Sequence, residues 1–352
     1  MLVGCETAEK YVLPIWSIKL KLLKTEADFG LVKAPDNHRT IKGKECKMKK
    51  LLIVGGMGFI GRPLVEKLIE KEDLQLYVAI HNSSTSLPKW KANNLQLVTL
   101  DMLDQDSVSD LLYDQKFDSC IDLAWYTGNH CHGSDKNLDW LIASLNFVKS
   151  FVNAGGKHIL ISGSIAEYDY SFGYLKENTS LECASIYGKC KTALMNAASS
   201  YCQIHNVRLC WPRIFNCYGP NEKPKRLMPS VINAALRGED ILVSSCNKYQ
   251  DYTYIDDVAE ALFRLYNSDF SGVVNICSGK PVLLREIVEK ILKFTKSNSR
   301  VVWGAIPESF PDQVVLGDNR KLKSVLNWEP STSLDSGLAL TIDWWKSQYM
   351  ES

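Results

Sequence analysis

The chain has 352 residues, 45% of them hydrophobic, and a formal net charge of +1. That length and apolar content suffice for one large core or for two lobes. A near-neutral balance excludes the clustered basic excess of a nucleic-acid groove. No apolar run reaches the roughly 20 residues of a membrane span. The partly apolar stretch 11–23 is interrupted by Lys19 and Lys21, and Glu6 and Glu9 precede it where a secretory signal carries positive charge. The 11 cysteines are odd in number and scattered, with no C-x-x-C pair, and read as reduced thiols of a cytoplasmic protein. His130-Cys131-His132 is the one local set of metal-ligand types. Neighbouring side chains point apart, so it reads as a loop and no metal is expected.

Residues 1–47 mix apolar and charged types without steady periodicity and end in a basic run. They read as an N-terminal appendage, and the run beginning at Met48 reads as the opening of a domain. Strands are predicted at 51–54, 76–80, 95–100, 119–123, 158–162 and 208–213. Helices are predicted between them at 63–71, 107–113, 138–154 and 187–205. Near-continuous apolar strands alternating with helices imply βαβ units, a parallel sheet covered on both faces, and hence a Rossmann-type doubly wound α/β fold over 48–220. Past Pro220 the pattern is finer, with helices at 228–237, 257–267, 284–293 and 334–346. Residues 221–352 are expected to form mainly a smaller substrate-binding lobe. That lobe would close over the carboxyl edge of the strands, where such sheets bind ligands.

Gly55, Gly58 and Gly61 directly follow the first strand and open a helix. Glycines at that spacing permit a positive φ, close backbone approach to a pyrophosphate and tight helix–strand packing. The helix N-terminus offers free N–H groups to phosphate, and Phe59 and Ile60 lie in the same turn. The alternative is a glycine-rich turn without a ligand. At the end of the second strand, His81, Asn82 and Ser83 stand where NAD sites place a carboxylate on the ribose. Small polar groups and a histidine suit a 2′-phosphate, so NADP is preferred over NAD, with a polar loop indifferent to the 2′ position as the alternative. Asp101 and Met102 follow the third strand, where a carboxylate accepts from the adenine amino group.

Tyr187 and Lys191 lie four residues apart at a helix start, on one face and one turn apart. A lysine cation lowers a tyrosine pKa from about 10 and lets the pair exchange a proton with a carbinol or carbonyl oxygen. Ser164 sits just past a strand end, positioned to hold that oxygen. An ordinary amphipathic helix start would also read Tyr-x-x-x-Lys. The order of glycine loop, strand-end serine and Tyr-x-x-x-Lys is what gives the motif weight.

With these motifs in place, residues from about 49 to 345 resemble the extended short-chain dehydrogenase/reductase family, which includes nucleotide-sugar epimerases, dehydratases and 4-ketoreductases. Gly55–Gly61 resembles its dinucleotide motif, and 122–124 the segment under the cofactor that contains Leu123 and Ala124. Segments 213–220, 251–258, 275–279 and 326–330 resemble its later signatures. The resemblance implies Ser164, Tyr187 and Lys191 as catalytic residues, with Ile214 at the cofactor. It implies Tyr126, Glu167, Tyr168, Asn216, Arg226 and Leu227 at the substrate. Ile165 and Ala166 stand where the dehydratases carry acids, which argues against water elimination. The segment 303–307 resembles reductases of the abequose and paratose type. The implied reaction is reduction of the 4-keto group of a nucleotide-linked 4-keto-6-deoxysugar in deoxysugar or surface-polysaccharide biosynthesis. The alternatives are a 4-epimerase with tightly bound NAD and a reductase of a non-nucleotide carbonyl compound. Gln250 and Ser309 stand where the family places diphosphate-binding arginines. Lys223, Lys225, Arg226 and Lys248 are candidate substitutes, with a solvated loop as the other reading. The family resemblance also implies a homodimer, for which Leu194, Ala197, Ala198 and Tyr201 offer a small-residue face, although packing within the chain explains the same residues.

Overall fold

Alternation along the first strand sets the architecture. In the strand Lys49–Val54, Leu51 and Ile53 enter one buried cluster, and Leu52 and Val54 enter another on the opposite face. A strand apolar on both faces must be covered on both, and this one is. The structure, a computed structural model, describes residues 40–41, 44–45, 48–81, 90–128, 130–308 and 314–350. Apart from the short pairing of 40–41 with 44–45, residues 1–47, for which an appendage was expected, lie outside the described residues, as do Asn82, Ser83 and Ser309.

The main sheet is parallel and runs Leu95–Thr99, Leu74–Ile80, Lys49–Val54, Ser119–Asp122, His158–Ile161, Arg208–Ile214, Gly272–Ile276 in spatial order. The winding reverses between Lys49–Val54 and Ser119–Asp122. That switch point is where ligands dock in such sheets, and the glycine turn 55–61 opens directly onto it. Helices Gly61–Ile69 and Ile255–Asn267 pack together on one face, while Gln105–Gln115, Lys136–Asn153 and Ile186–Ile204 cover the other.

A second sheet joins Asn216–Tyr218, Tyr249–Tyr254, Val314–Gly317 and Tyr174–Leu175 in parallel, with Pro281–Leu283 antiparallel to Tyr249–Asp251. Helices Leu227–Arg237, Leu284–Thr295 and Leu334–Met350 pack around one another beside it. The expected division at residue 220 is therefore not a clean cut. Helix Ile255–Asn267 and strand Gly272–Ile276 return to the large sheet, because their apolar faces (Val258, Leu262, Leu265; Val274, Ile276) complete its core.

The four residues expected from the family resemblance to offer a partner-facing surface divide between core and surface. Leu194 and Ala198 are buried against helix Lys136–Asn153, whereas Ala197 is exposed and Tyr201 partly so. Among the described residues no helix is long and apolar enough to cross a membrane.

Candidate active site

The glycine turn is built for close approach. Gly55 has φ +78°, and a Cβ there would meet Ala124 N and Leu123 C at 2.9 Å. A Cβ at Gly61 would meet Gly55 O and stand 2.6 Å from Gly56 Cα. The turn therefore sits directly on the segment 123–124, from which a side chain at Gly55 would push it, while a side chain at Gly61 would push the helix start off the turn. Gly58 N donates to Gly55 O and Arg62 N to Gly58 O, both at 3.0 Å, which feeds the chain into the helix. Gly58 is exposed, and Phe59 and Ile60 are half-buried. These positions fit a dinucleotide pyrophosphate laid over the helix N-terminus.

At the far end of this edge, His81 Nε2 lies 3.3 Å from Asp101 Oδ2. The third strand thus supplies beside His81 the carboxylate that the second strand lacks. Met102, next to Asp101, is buried.

At the near end the catalytic candidates converge. The helix Ile186–Ile204 is capped by Ser185, whose hydroxyl accepts from Gly188 N at 3.1 Å. A Cβ at Gly188 would run into Ala166 O, so glycine lets the helix start press against the turn 165–167. That contact sets the Tyr187 phenol beside Ser164, and burial pushes the phenol up to about 12, opposed by the Ser164 hydroxyl. Ser164 Oγ also accepts from Ala166 N at 3.1 Å. Lys191 is buried one turn on. Its Nζ donates to Ser162 O at 2.9 Å and stands 4.0 Å from the Trp125 ring centroid. Burial lowers Lys191 to about 8, opposed by the charges of Asp122 and Glu167. Burial likewise raises Asp122 to about 6, against Lys191 and the Ala124 N–H. The expectation that the lysine depresses the tyrosine is corrected here. The ammonium is turned to Ser162 O and Trp125, and desolvation governs the phenol. Ile214, the register partner of Ser164 on the neighbouring strand, is buried.

Two residues expected at the sugar lie elsewhere. Ser164 caps a single 3₁₀ turn over Ile165–Glu167, and that turn swings the Glu167 carboxylate back into the protein. Glu167 accepts from Ser164 N at 2.7 Å, from Trp211 Nε1 at 3.1 and 3.2 Å, and from Arg213 Nε at 2.7 Å. Tyr168 is buried, its hydroxyl donating to Asn275 Oδ1 at 2.6 Å and accepting from Arg213 at 3.0 Å. Both are framework, because a buried arginine requires these partners. Tyr126, Asn216 and Leu227 remain partly accessible, and Arg226 is exposed. Asn216 Nδ2 donates to Gln250 Oε1 at 3.1 Å.

Three contributors were not singled out as site residues from sequence. Trp125 packs on Lys191 and lies edge-on to Tyr187 at 6.2 Å, its indole N–H held by Asn137 at 2.8 Å. His132 lies edge-on to Tyr187 at 5.1 Å; burial and then the charge of Arg226 lower its pKa. Glu222 is a buried carboxyl beside Arg226. An aromatic directly after Ala124 was the available signal for Trp125. Nothing local marked the other two. His130, Cys131 and His132 do not gather, and among the described residues no group of His, Cys, Asp and Glu is arranged to hold a metal.

A parallel sheet wound in this order, with a glycine turn at its switch point and Ser164, Tyr187 and Lys191 at its edge, defines a dinucleotide-dependent class of fold. The profile of the NAD dependent epimerase/dehydratase family matches residues 51–277, and the chain belongs to that family. Among curated proteins it is similar to a UDP-N-acetyl-alpha-D-glucosaminuronate decarboxylase of Bacillus cytotoxicus, 26% identical over 319 residues, covering 85% of this chain and 98% of the relative. It is similar to a dTDP-6-deoxy-L-talose 4-dehydrogenase (NAD(+)) of Aggregatibacter actinomycetemcomitans, 26% identical over 250 residues, 69% of this chain and 89% of the relative. Among solved structures, the UDP-glucose 4-epimerase of Thermotoga maritima with UDP-glucose superposes with TM-score 0.78 at 22% identity, over 85% of this chain and 99% of the other. The Thermus thermophilus UDP-glucose 4-epimerase complex with NAD gives 0.74 at 20% identity, over 84% and 99%.

Proposed function

We propose that the protein reduces the 4-keto group of a nucleotide-linked sugar, with the dinucleotide supplying the hydride. The observation that carries this reading is the arrangement of Ser164, Tyr187 and Lys191 with no acid directly after Ser164, the nearby Asp122 and Glu167 carboxyls being buried. Ile165 and Ala166 are buried apolar residues, and Glu167 is tied to Arg213. Elimination or decarboxylation needs a further proton shuttle or charge at that position, whereas ketone reduction needs one acid. Tyr187, held as a neutral phenol, suits that role: it protonates the carbonyl oxygen as Ser164 holds it. Lys191, anchored on Ser162 O, is placed to bind the nicotinamide ribose and to relay the replacement proton. The relatives named for action on UDP- and dTDP-sugars support the nucleotide-sugar class.

The dinucleotide we propose is NAD(H). The sequence around His81 favours NADP, but the Asp101 carboxylate 3.3 Å from that histidine would repel a 2′-phosphate. The same carboxylate favours a second reading, a 4-epimerase that retains NAD.

The test is loss of nicotinamide absorbance when NADH or NADPH meets a panel of nucleotide 4-keto-6-deoxysugars. Rapid oxidation of NADH by one sugar is expected, and Tyr187→Phe should lose at least ~10²-fold in turnover while still binding NADH. No oxidation, with interconversion of C4 epimers and a co-purifying cofactor, would replace the reductase by the epimerase.

A further inference from the structure

The segment 219–226 crosses from the small lobe to the loop beyond Ser119–Asp122. Lys223 Nζ fastens it there, donating to Thr127 O and to Thr127 Oγ1 at 2.9 Å. Glu222, inside this strap, is 7% exposed. Its Oε2 is buried with no hydrogen-bond partner. Its Oε1 lies 3.8 Å from Arg226 Nε, too far for a hydrogen bond. Cys217 and Tyr252 are the other titratable groups whose fields it meets, and burial holds both neutral. An orphaned buried carboxyl oxygen is costly, and here it sits next to a guanidinium whose side chain is 62% exposed.

That guanidinium lies within electrostatic range of Tyr187 and His132. Other candidate cations nearby are engaged. Lys223 is on Thr127. Lys248 is on Glu308 at 2.7 Å, a carboxylate that also accepts from Ser245 N and Oγ at 2.8 and 2.6 Å. Position 250 is a glutamine bonded to Asn216.

We propose that Arg226 receives the anionic diphosphate of the substrate and that Glu222 is a latch on that guanidinium. This rests on the nucleotide-sugar reading above. The physical cause is the burial of Glu222, which raises its carboxyl to about 8. Below that pH the carboxyl is uncharged, leaves the guanidinium uncompensated, and the diphosphate takes it. Above that pH the carboxylate closes the 3.8 Å gap and competes with the ligand.

The experiment is calorimetric titration of the full chain, saturated with NADH, with UDP, CDP, dTDP and GDP between about pH 7 and about pH 9.5. With the nucleotide that binds, the wild type should weaken roughly tenfold or more across that range. Glu222→Gln, an uncharged isostere, should bind nearly independently of pH. Arg226→Gln, at an exposed position that folding tolerates, should weaken binding roughly tenfold at the lower pH and abolish its pH dependence. Wild-type binding that is flat with pH, Glu222→Gln as pH-dependent as wild type, or Arg226→Gln with wild-type affinity would each overturn the latch while leaving the nucleotide-sugar reading intact. Binding of NADH but of none of the four diphosphates would overturn that reading and the latch together.

Discussion

Two carboxylate–arginine pairs lie on either side of the site, and they are built in opposite ways. Glu167 and Arg213 meet at 2.7 Å with side-chain exposures of 0% and 1%. Both carboxylate oxygens are engaged by Ser164 N, Trp211 or Arg213, and the guanidinium also donates to Tyr168 Oη and Glu177 O. Glu222 and Arg226 lie four residues apart in a loop, 3.8 Å from each other, one buried and one exposed, with an oxygen unpartnered. A saturated pair has no bonding capacity left for a ligand and acts as scaffold. An unsaturated pair at a cleft has capacity to spare, and its state depends on protonation.

The largest effect should come from breaking the saturated pair. Arg213→Met strands a buried carboxylate, together with Tyr168 Oη and Glu177 O, and should cost about 3–5 kcal/mol of unfolding free energy. Arg226→Met exposes no orphan that was not already there and should stay within about 1 kcal/mol. Urea denaturation of the two variants measures the difference directly, and equal losses would erase the distinction drawn between the pairs.

How far each region could be read in advance follows from the same physics. The strand Lys49–Val54 and the helix after it were legible because burial on both faces forces continuous apolar runs, and the glycine spacing has few structural uses. Tyr187 and Lys191 were legible because helical geometry fixes their relation. Glu167 was misplaced because its direction is decided by Arg213, 46 residues away, through the turn that Ser164 caps. The return of Ile255–Ile276 to the large sheet was missed because an amphipathic helix does not declare which apolar surface it will cover. Trp125, His132 and Glu222 owe their places to contacts across the site, and such pairings have no local period.

An effect of the same order should appear in the pH dependence of stability. A carboxyl whose folded pKa is raised favours the folded state below its unfolded pKa of about 4.3, and that stability is lost as pH rises through the folded value. For Glu222 the window runs from there to about 8. The thermal midpoint of the wild type should therefore fall across that range more than that of Glu222→Gln. Parallel curves would mean that Glu222 is as well solvated as an ordinary surface carboxylate, and the contrast with Glu167 would then lie in geometry alone.

The smallest effect sharpens the comparison most, because it separates the latch from the strap that carries it. Lys223 is exposed, so its bonds to Thr127 are open to water and Lys223→Met should change unfolding free energy by no more than about 1 kcal/mol. Those bonds nevertheless fasten the segment bearing Glu222 and Arg226 to the loop that follows the central strand Ser119–Asp122. Released, the segment keeps the charges of Glu222 and Arg226 but loses a fixed position relative to Tyr187, so diphosphate affinity should fall several-fold while the pH at which it weakens stays where it was. Calorimetry on this variant over the same pH range reads both quantities at once. A shift in that pH, with affinity otherwise unchanged, would mean that Lys223 acts on Glu222 through its charge and that the strap plays no part in positioning Arg226.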